Sequence, residues 1–170
     1  MSTTKTLVQN AMLVAMALAL SYIERFIPLE LLVPLPGVKL GLANIVTLVA
    51  LYAFGPNQAF RVVVLRCSLG SLFGGGVTGL LFSLAGGMLA MGVMALCRRV
   101  PLFSVYGVSI LGAAAHNIGQ VAVAMLLMHS VRSGLYLAYL LGVALFTGFA
   151  TGAASAGVLR ILRSGNISQK

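Results

Sequence analysis

The sequence predicts an all-α integral membrane protein, a single bundle of six transmembrane helices over residues 1–170. Composition leads there first. Hydrophobic residues make up 60% of the chain and charged residues 8%, against about 25% charged in an ordinary soluble domain. With a mean hydropathy of +1.07 the chain suits lipid better than water. Second, six apolar segments, 7–27, 40–54, 59–75, 77–96, 105–128 and 135–161, approach the ~20 residues that cross a hydrocarbon core. Third, the basic residues alternate between the two sets of connections. One side collects Lys5, Arg61, Arg98, Arg99, Arg160, Arg163 and Lys170, the other Arg25, Lys39 and Arg132. By the positive-inside rule both termini face the cytoplasm, in a multi-pass protein of the inner (plasma) membrane. Tyr22, Tyr52, Tyr106, Tyr136 and Tyr139 fall near segment ends, where amphipathic rings prefer to sit. The net charge of +9 is therefore a topology signal. The bases form no stripe, and nucleic acid is not an expected partner.

The first segment follows Lys5 and carries Ala11, Ala15 and Ala19 at every fourth position, a strip of small side chains along one helix face. Such strips let helices approach closely in lipid, either inside a bundle or against a partner. A rival reading makes this segment a signal peptide, but its apolar run continues through Tyr22 and Ile23 and favours a retained span. The next connection, Phe26 to Gly37, is large and apolar yet holds Pro28, Pro34 and Pro36, which forbid a continuous helix. It reads as an interfacial segment or as a lid over a cavity. The second segment contains Asn44, and the third Arg66. Gly74, Gly75 and Gly76 mark a tight turn into the fourth. The fifth carries His116, Asn117 and Gln120, and the sixth repeats the small-residue pattern with Gly148, Gly152 and Ala156. Cys67 and Cys97 lack ligand-like spacing and read as buried thiols, with no metal site expected.

Polar groups inside spans carry whatever chemistry exists. On a helix His116 and Gln120 stack one above the other with Asn117 beside Gln120, and the surrounding small residues leave room for a ligand or for a close helix that these groups would hydrogen-bond. Counting ~1.5 Å per residue puts Gln120 and Asn44 in the outer half and His116 near the midplane. Neutral donors and acceptors of this kind suit the polar head of a small-molecule ligand. Arg66 is a cation inside a span, in a chain whose only acids are Glu24 and Glu30. It lies ~10 Å from the inner end on the same count and leans toward its own helix N-terminus. It is therefore expected to bond helix carbonyls or reach inner-face water, below the ligand site and ~15 Å from Glu24.

Enzyme signatures are missing. There is no phosphate-cradling loop ending in Gly-Lys-Ser/Thr, so the chain does not itself hydrolyse ATP. With no aspartate, it has no acidic pair to hold magnesium on a diphosphate, and no cofactor is expected.

Four stretches, Pro36-Gly-Val-Lys-Leu-Gly-Leu-Ala-Asn44, Arg66-Cys-Ser-Leu-Gly70, Ser83-Leu-Ala-Gly-Gly87 and Ala115-His-Asn-Ile-Gly-Gln120, together resemble the Gx transporter family. That family also carries the label heptaprenyl diphosphate synthase component I, and the resemblance spans nearly the whole chain. It implies a six-helix protein similar to the substrate-binding (S) components of energy-coupling-factor vitamin transporters. In those, substrate sits in the outer half under outer loops, and a small-residue strip on the first helix docks onto a transmembrane coupling subunit driven by ATPases. The matching strip here is Ala11, Ala15 and Ala19. The expected site is Asn44, His116, Asn117 and Gln120, with Gly37 and Lys39 at its rim. Two alternatives stay open: a non-catalytic membrane component linked to prenyl diphosphate or quinone synthesis, and a structural subunit of a membrane complex.

Overall fold

The computed structural model describes residues 3–24, 26 and 41–167. Among these the chain forms six α-helices and no strand: α1 (Thr3–Glu24), α2 (Asn44–Phe54), α3 (Pro56–Gly70), α4 (Gly76–Cys97), α5 (Val105–Leu127) and α6 (Tyr136–Ile167). Four of them, α1, α4, α5 and α6, are long and apolar enough to cross a membrane. The other two are shorter than the sequence implied. With 11 and 15 residues, α2 and α3 extend only ~16 and ~22 Å. Residues 41–43 form a turn rather than the start of a helix, and Ser71–Gly75 makes one wide turn. Hydropathy did not separate these turns from the spans because Leu42, Ala43, Leu72 and Phe73 are as apolar as a helix interior.

The helix ends have local causes. Gly55 adopts φ 97° and donates its N–H back to Ala50 and Leu51, closing α2, and Pro56 opens α3 with its φ already set. Arg98 donates to the Leu51 carbonyl and lies 5.1 Å over the Tyr52 ring, fastening that end of α2 to the end of α4. Between α3 and α4, Gly74 and Gly76 take φ values of 107° and 58°, so the glycine cluster does serve as the turn. Ser104 caps α5 by accepting the Gly107 N–H at 3.3 Å.

Helices α2 to α6 pack in sequence, and α6 returns to α2 to close a ring; α1 leans on α2 and α3 from outside. The two small-residue strips have opposite fates. A Cβ on Gly148 would stand 2.6 Å from the Ile110 Cα, and one on Gly152 would stand 3.1 Å from the Tyr106 Cα. That strip brings the α6 backbone against α5, where Ser109 and Thr151 hydroxyls meet at 2.8 Å. Ala11, Ala15 and Ala19 are instead exposed, while Leu13, Val14 and Ala17 of the same helix turn inward. Ala11 and Ala15 border an outward-facing groove of about 430 Å³ between α1 and α3. Large apolar side chains such as Val77, Leu126, Phe146 and Ile161 cover much of the outer surface. In water that surface would drive aggregation, whereas in hydrocarbon it matches its solvent.

The crossing between α4 and α5 is equally close. A Cβ on Gly119 would sit 2.7 Å from the Ala85 carbonyl oxygen and 2.9 Å from the Gly86 Cα, and backbone cannot swing away. Gly119→Ala should therefore destabilise the protein by about 1–3 kcal/mol, as overpacking does. Gly92→Ala, at a glycine with nothing within 4 Å, should be neutral or slightly stabilising. Thermal unfolding followed by thiol labelling of the buried Cys67 measures both, and equal stabilities would refute the close crossing.

Candidate functional site

The site begins at the start of α2. Its N-cap residue, Ala43, has no side chain able to accept the unsatisfied N–H groups of the first turn. The Asn44 and Ile45 N–H groups donate instead to the Gly41 and Leu42 carbonyls, and Glu24, at the end of α1, holds that turn in place. Its carboxylate accepts the Gly41 N–H at 2.5 Å and the Leu42 N–H at 3.2 Å. A negative group there also opposes the positive end of the α2 dipole. Gly41 takes φ 83°, which suits glycine, and this places its Cα against Asn44 and His116.

Asn44 and Arg66 stand eleven residues on either side of Gly55, so both lie ~16 Å from that turn along antiparallel helices. At this shared height the Arg66 Nη2 donates to Asn44 Oδ1 at 3.1 Å. Gly87 of α4 makes room for the guanidinium, since a Cβ there would be 3.1 Å from Nη2. One residue earlier, Gly86 does the same for His116: a Cβ would lie 2.9 Å from both Cε1 and Nδ1 of the ring. On the opposite edge a Cβ on Gly41 would lie 3.2 Å from the ring Cδ2. The imidazole is thus held between two glycine backbones. Glu24, Asn44, Arg66 and His116 form one buried polar layer drawn from α1, α2, α3 and α5.

Arg66 is not where the sequence implied. It neither reaches inner-face water nor sits below the polar cluster; it is part of the layer, beside Asn44. The difference arises in α3. A span drawn from residue 59 leaves Arg66 only seven residues inside it, whereas α3 starts at Pro56, so Arg66 stands as far from the Gly55 turn as Asn44 does. Arg66 is therefore also nearer to Glu24 than that count implies, because Glu24 bonds the turn that leads into Asn44.

Gln120 is fully buried one helical turn beyond His116. Asn117 points elsewhere: its Nδ2 donates to the Leu140 carbonyl at 2.8 Å and fastens α5 to α6. Gly37 and Lys39, together with Pro28, Pro34 and Pro36 and the lid or interfacial reading of their segment, lie outside the described residues. Sequence reasoning missed the roles of Glu24, Gly41, Gly86 and Gly87. The adjacent Gly86 and Gly87 in an otherwise helical segment were the readable signal, since glycine in a helix interior usually answers a close neighbour. Among the described residues no three His, Cys, Asp or Glu side chains converge on a metal-sized position. Chemically the layer offers a cation, amide donors and an imidazole, a set suited to binding a polar group.

A family model described as heptaprenyl diphosphate synthase component I matches residues 13–158, a stretch that contains every member of the layer. No curated protein and no solved structure gives a significant match.

The glycine cradle has a direct spectroscopic test, because the chain holds two histidines, His116 and His129. In histidine-labelled protein, Gly86→Ala should shift the His116 ring signals and leave those of exposed His129 unchanged. Unmoved His116 signals would mean the ring is not seated on Gly86.

Proposed function

The chain belongs to the heptaprenyl diphosphate synthase component I family, and on that premise we propose that it is a non-catalytic, membrane-embedded binding component. Its role is to hold a small, vitamin- or cofactor-like molecule for uptake, energised by a separate ATPase module. The observation that carries this reading is the convergence of Glu24, Asn44, Arg66 and His116 from four helices on one buried level. Polar side chains are disfavoured in such surroundings and mark function more often than packing. Gln120 extends the polar surface by one turn. Lys39 and Gly37, two and four positions before Gly41 in the sequence, remain its proposed rim. Both termini are proposed to be cytoplasmic, and the layer then lies in the outer half, as uptake requires.

Two features favour binding over catalysis. The chain has no aspartate to hold magnesium on a diphosphate and no loop of the kind that cradles nucleotide phosphates. The family's description supports a second reading, in which the same component presents or anchors a prenyl diphosphate for another enzyme. The exposed Ala11, Ala15 and Ala19 face supports docking onto a transmembrane coupling subunit, since it is not consumed by the protein's own packing.

Native mass spectrometry of gently extracted protein should find a co-purified small molecule in stoichiometric amount. Asn44→Ala and Gln120→Ala should each weaken its binding by roughly tenfold or more, the cost of about one good hydrogen bond. Asn117→Ala should instead spare binding and lower stability by about 0.6–1.7 kcal/mol, the range for interhelical hydrogen bonds in membranes. Unchanged affinity in both Asn44→Ala and Gln120→Ala would remove the site from this layer. Separately, Ala15→Leu should abolish co-purification of a coupling subunit without affecting ligand binding; retained association would refute the docking role.

A further inference from the structure

Arg66 is 6% exposed and Asn44 is 7% exposed, and their side chains are joined by one hydrogen bond. Both remain incompletely used. The Arg66 Nε and the Asn44 Nδ2 are withdrawn from solvent and have no hydrogen-bond partner among the described residues. A guanidinium carries five N–H donors in a planar fork, and an amide nitrogen carries two more. Nε sits on the same guanidinium carbon as the bonded Nη2, and Nδ2 on the same amide carbon as the accepting Oδ1. The unused donors therefore flank one hydrogen bond, one on each partner, at the seam between α2 and α3.

The charge is as unanswered as the donors. Among the described residues Arg66 has only a neutral amide oxygen opposite it. Glu24 does not fill that role, because its carboxylate oxygens are engaged by the Gly41 and Leu42 N–H groups. A layer built solely for packing would close its own hydrogen bonds, since unpaired donors and uncompensated charge are both disfavoured in a low dielectric. We propose that Arg66 and Asn44 are the recognition point for an oxyanion, the carboxylate or phosphate of the bound molecule. Two acceptor oxygens carrying negative charge match a guanidinium edge paired with an amide donor. The neutral Gln120 one turn beyond would then meet the less charged part of the same ligand. This assignment rests on the binding role proposed above and specifies the chemistry of what is bound.

The test uses the full chain in lipid nanodiscs and two matched probe pairs: hexanoate with hexanamide, and farnesyl diphosphate with farnesol. Affinities are read from the concentration dependence of thermal unfolding, followed by Cys67 labelling. In the wild type the anionic member of at least one pair should bind at least about tenfold tighter than its neutral twin, as expected for a charge-assisted hydrogen bond. The pair that responds distinguishes a soluble carboxylate from a prenyl-lipid diphosphate. Arg66→Gln should erase that preference, lowering anion affinity by roughly 10–100-fold and leaving the neutral probe unchanged. Arg66→Lys, which keeps the charge without the planar fork, should fall between.

Asn44→Asp separates recognition from structure. It places a carboxylate beside Arg66 and should act as a built-in ligand, raising the unfolding temperature of the empty protein and abolishing the anion preference. Ligand-free Arg66→Gln should unfold no earlier than wild type, because it removes an uncompensated charge. A marked drop for Arg66→Gln, or a drop for Asn44→Asp, would make the pair structural and overturn the assignment. Equal binding of charged and neutral twins, untouched by Arg66→Gln, would overturn the oxyanion while leaving the binding role. Absence of any bound probe and of any co-purified molecule would overturn both.

Discussion

A guanidinium held away from water, in a helix bundle with almost no acidic residues, constrains this molecule more than any other group. Placing such a cation at the centre of a membrane helix costs about 2.5–3.5 kcal/mol even on lenient scales. The surrounding features read as accommodation of that charge. Glycine at position 87 gives the guanidinium its volume, and Asn44 turns an amide oxygen toward it. The short α2 and the Gly55 turn bring Asn44 to the height where its oxygen is useful. Glu24 in turn stabilises the start of α2, so that Asn44 is held rather than frayed.

Much of the fold was legible because hydropathy reports directly on lipid exposure. The long helices α4 and α5 lie within a residue of their expected limits for that reason, while α6 continues six residues past its own, through the polar Arg163 and Ser164. Segments two and three were misjudged because an apolar turn and an apolar helix look alike to a composition window. The start of α3 carries the consequence. Three residues there, Pro56 rather than residue 59, shift Arg66 by most of a helical turn and bring it level with Asn44.

The polar residues of the site were visible as residue types, but their partners were not. His116 and Asn117 are adjacent in sequence, and only three-dimensional packing sends one to the layer and the other to the Leu140 carbonyl. The glycines posed the opposite difficulty. Gly86 and Gly87 do their work by lacking atoms, and a sequence does not say which neighbour fills the vacated space. The two small-residue strips make the same point: identical spacing packs α6 against α5 and leaves α1 facing outward.

The position of α1 outside the ring has a mechanical consequence. It is a rod of 22 residues, ~33 Å long, resting on α2 and α3 alone among the other helices. Its far end is not loose, because Glu24 grips the backbone at Gly41 and Leu42, directly beside Asn44. A sideways push near Ala11 or Ala15 is therefore delivered through a stiff lever to the edge of the polar layer. Contact made at one end of α1 and the shape of the layer at the other are parts of a single linkage.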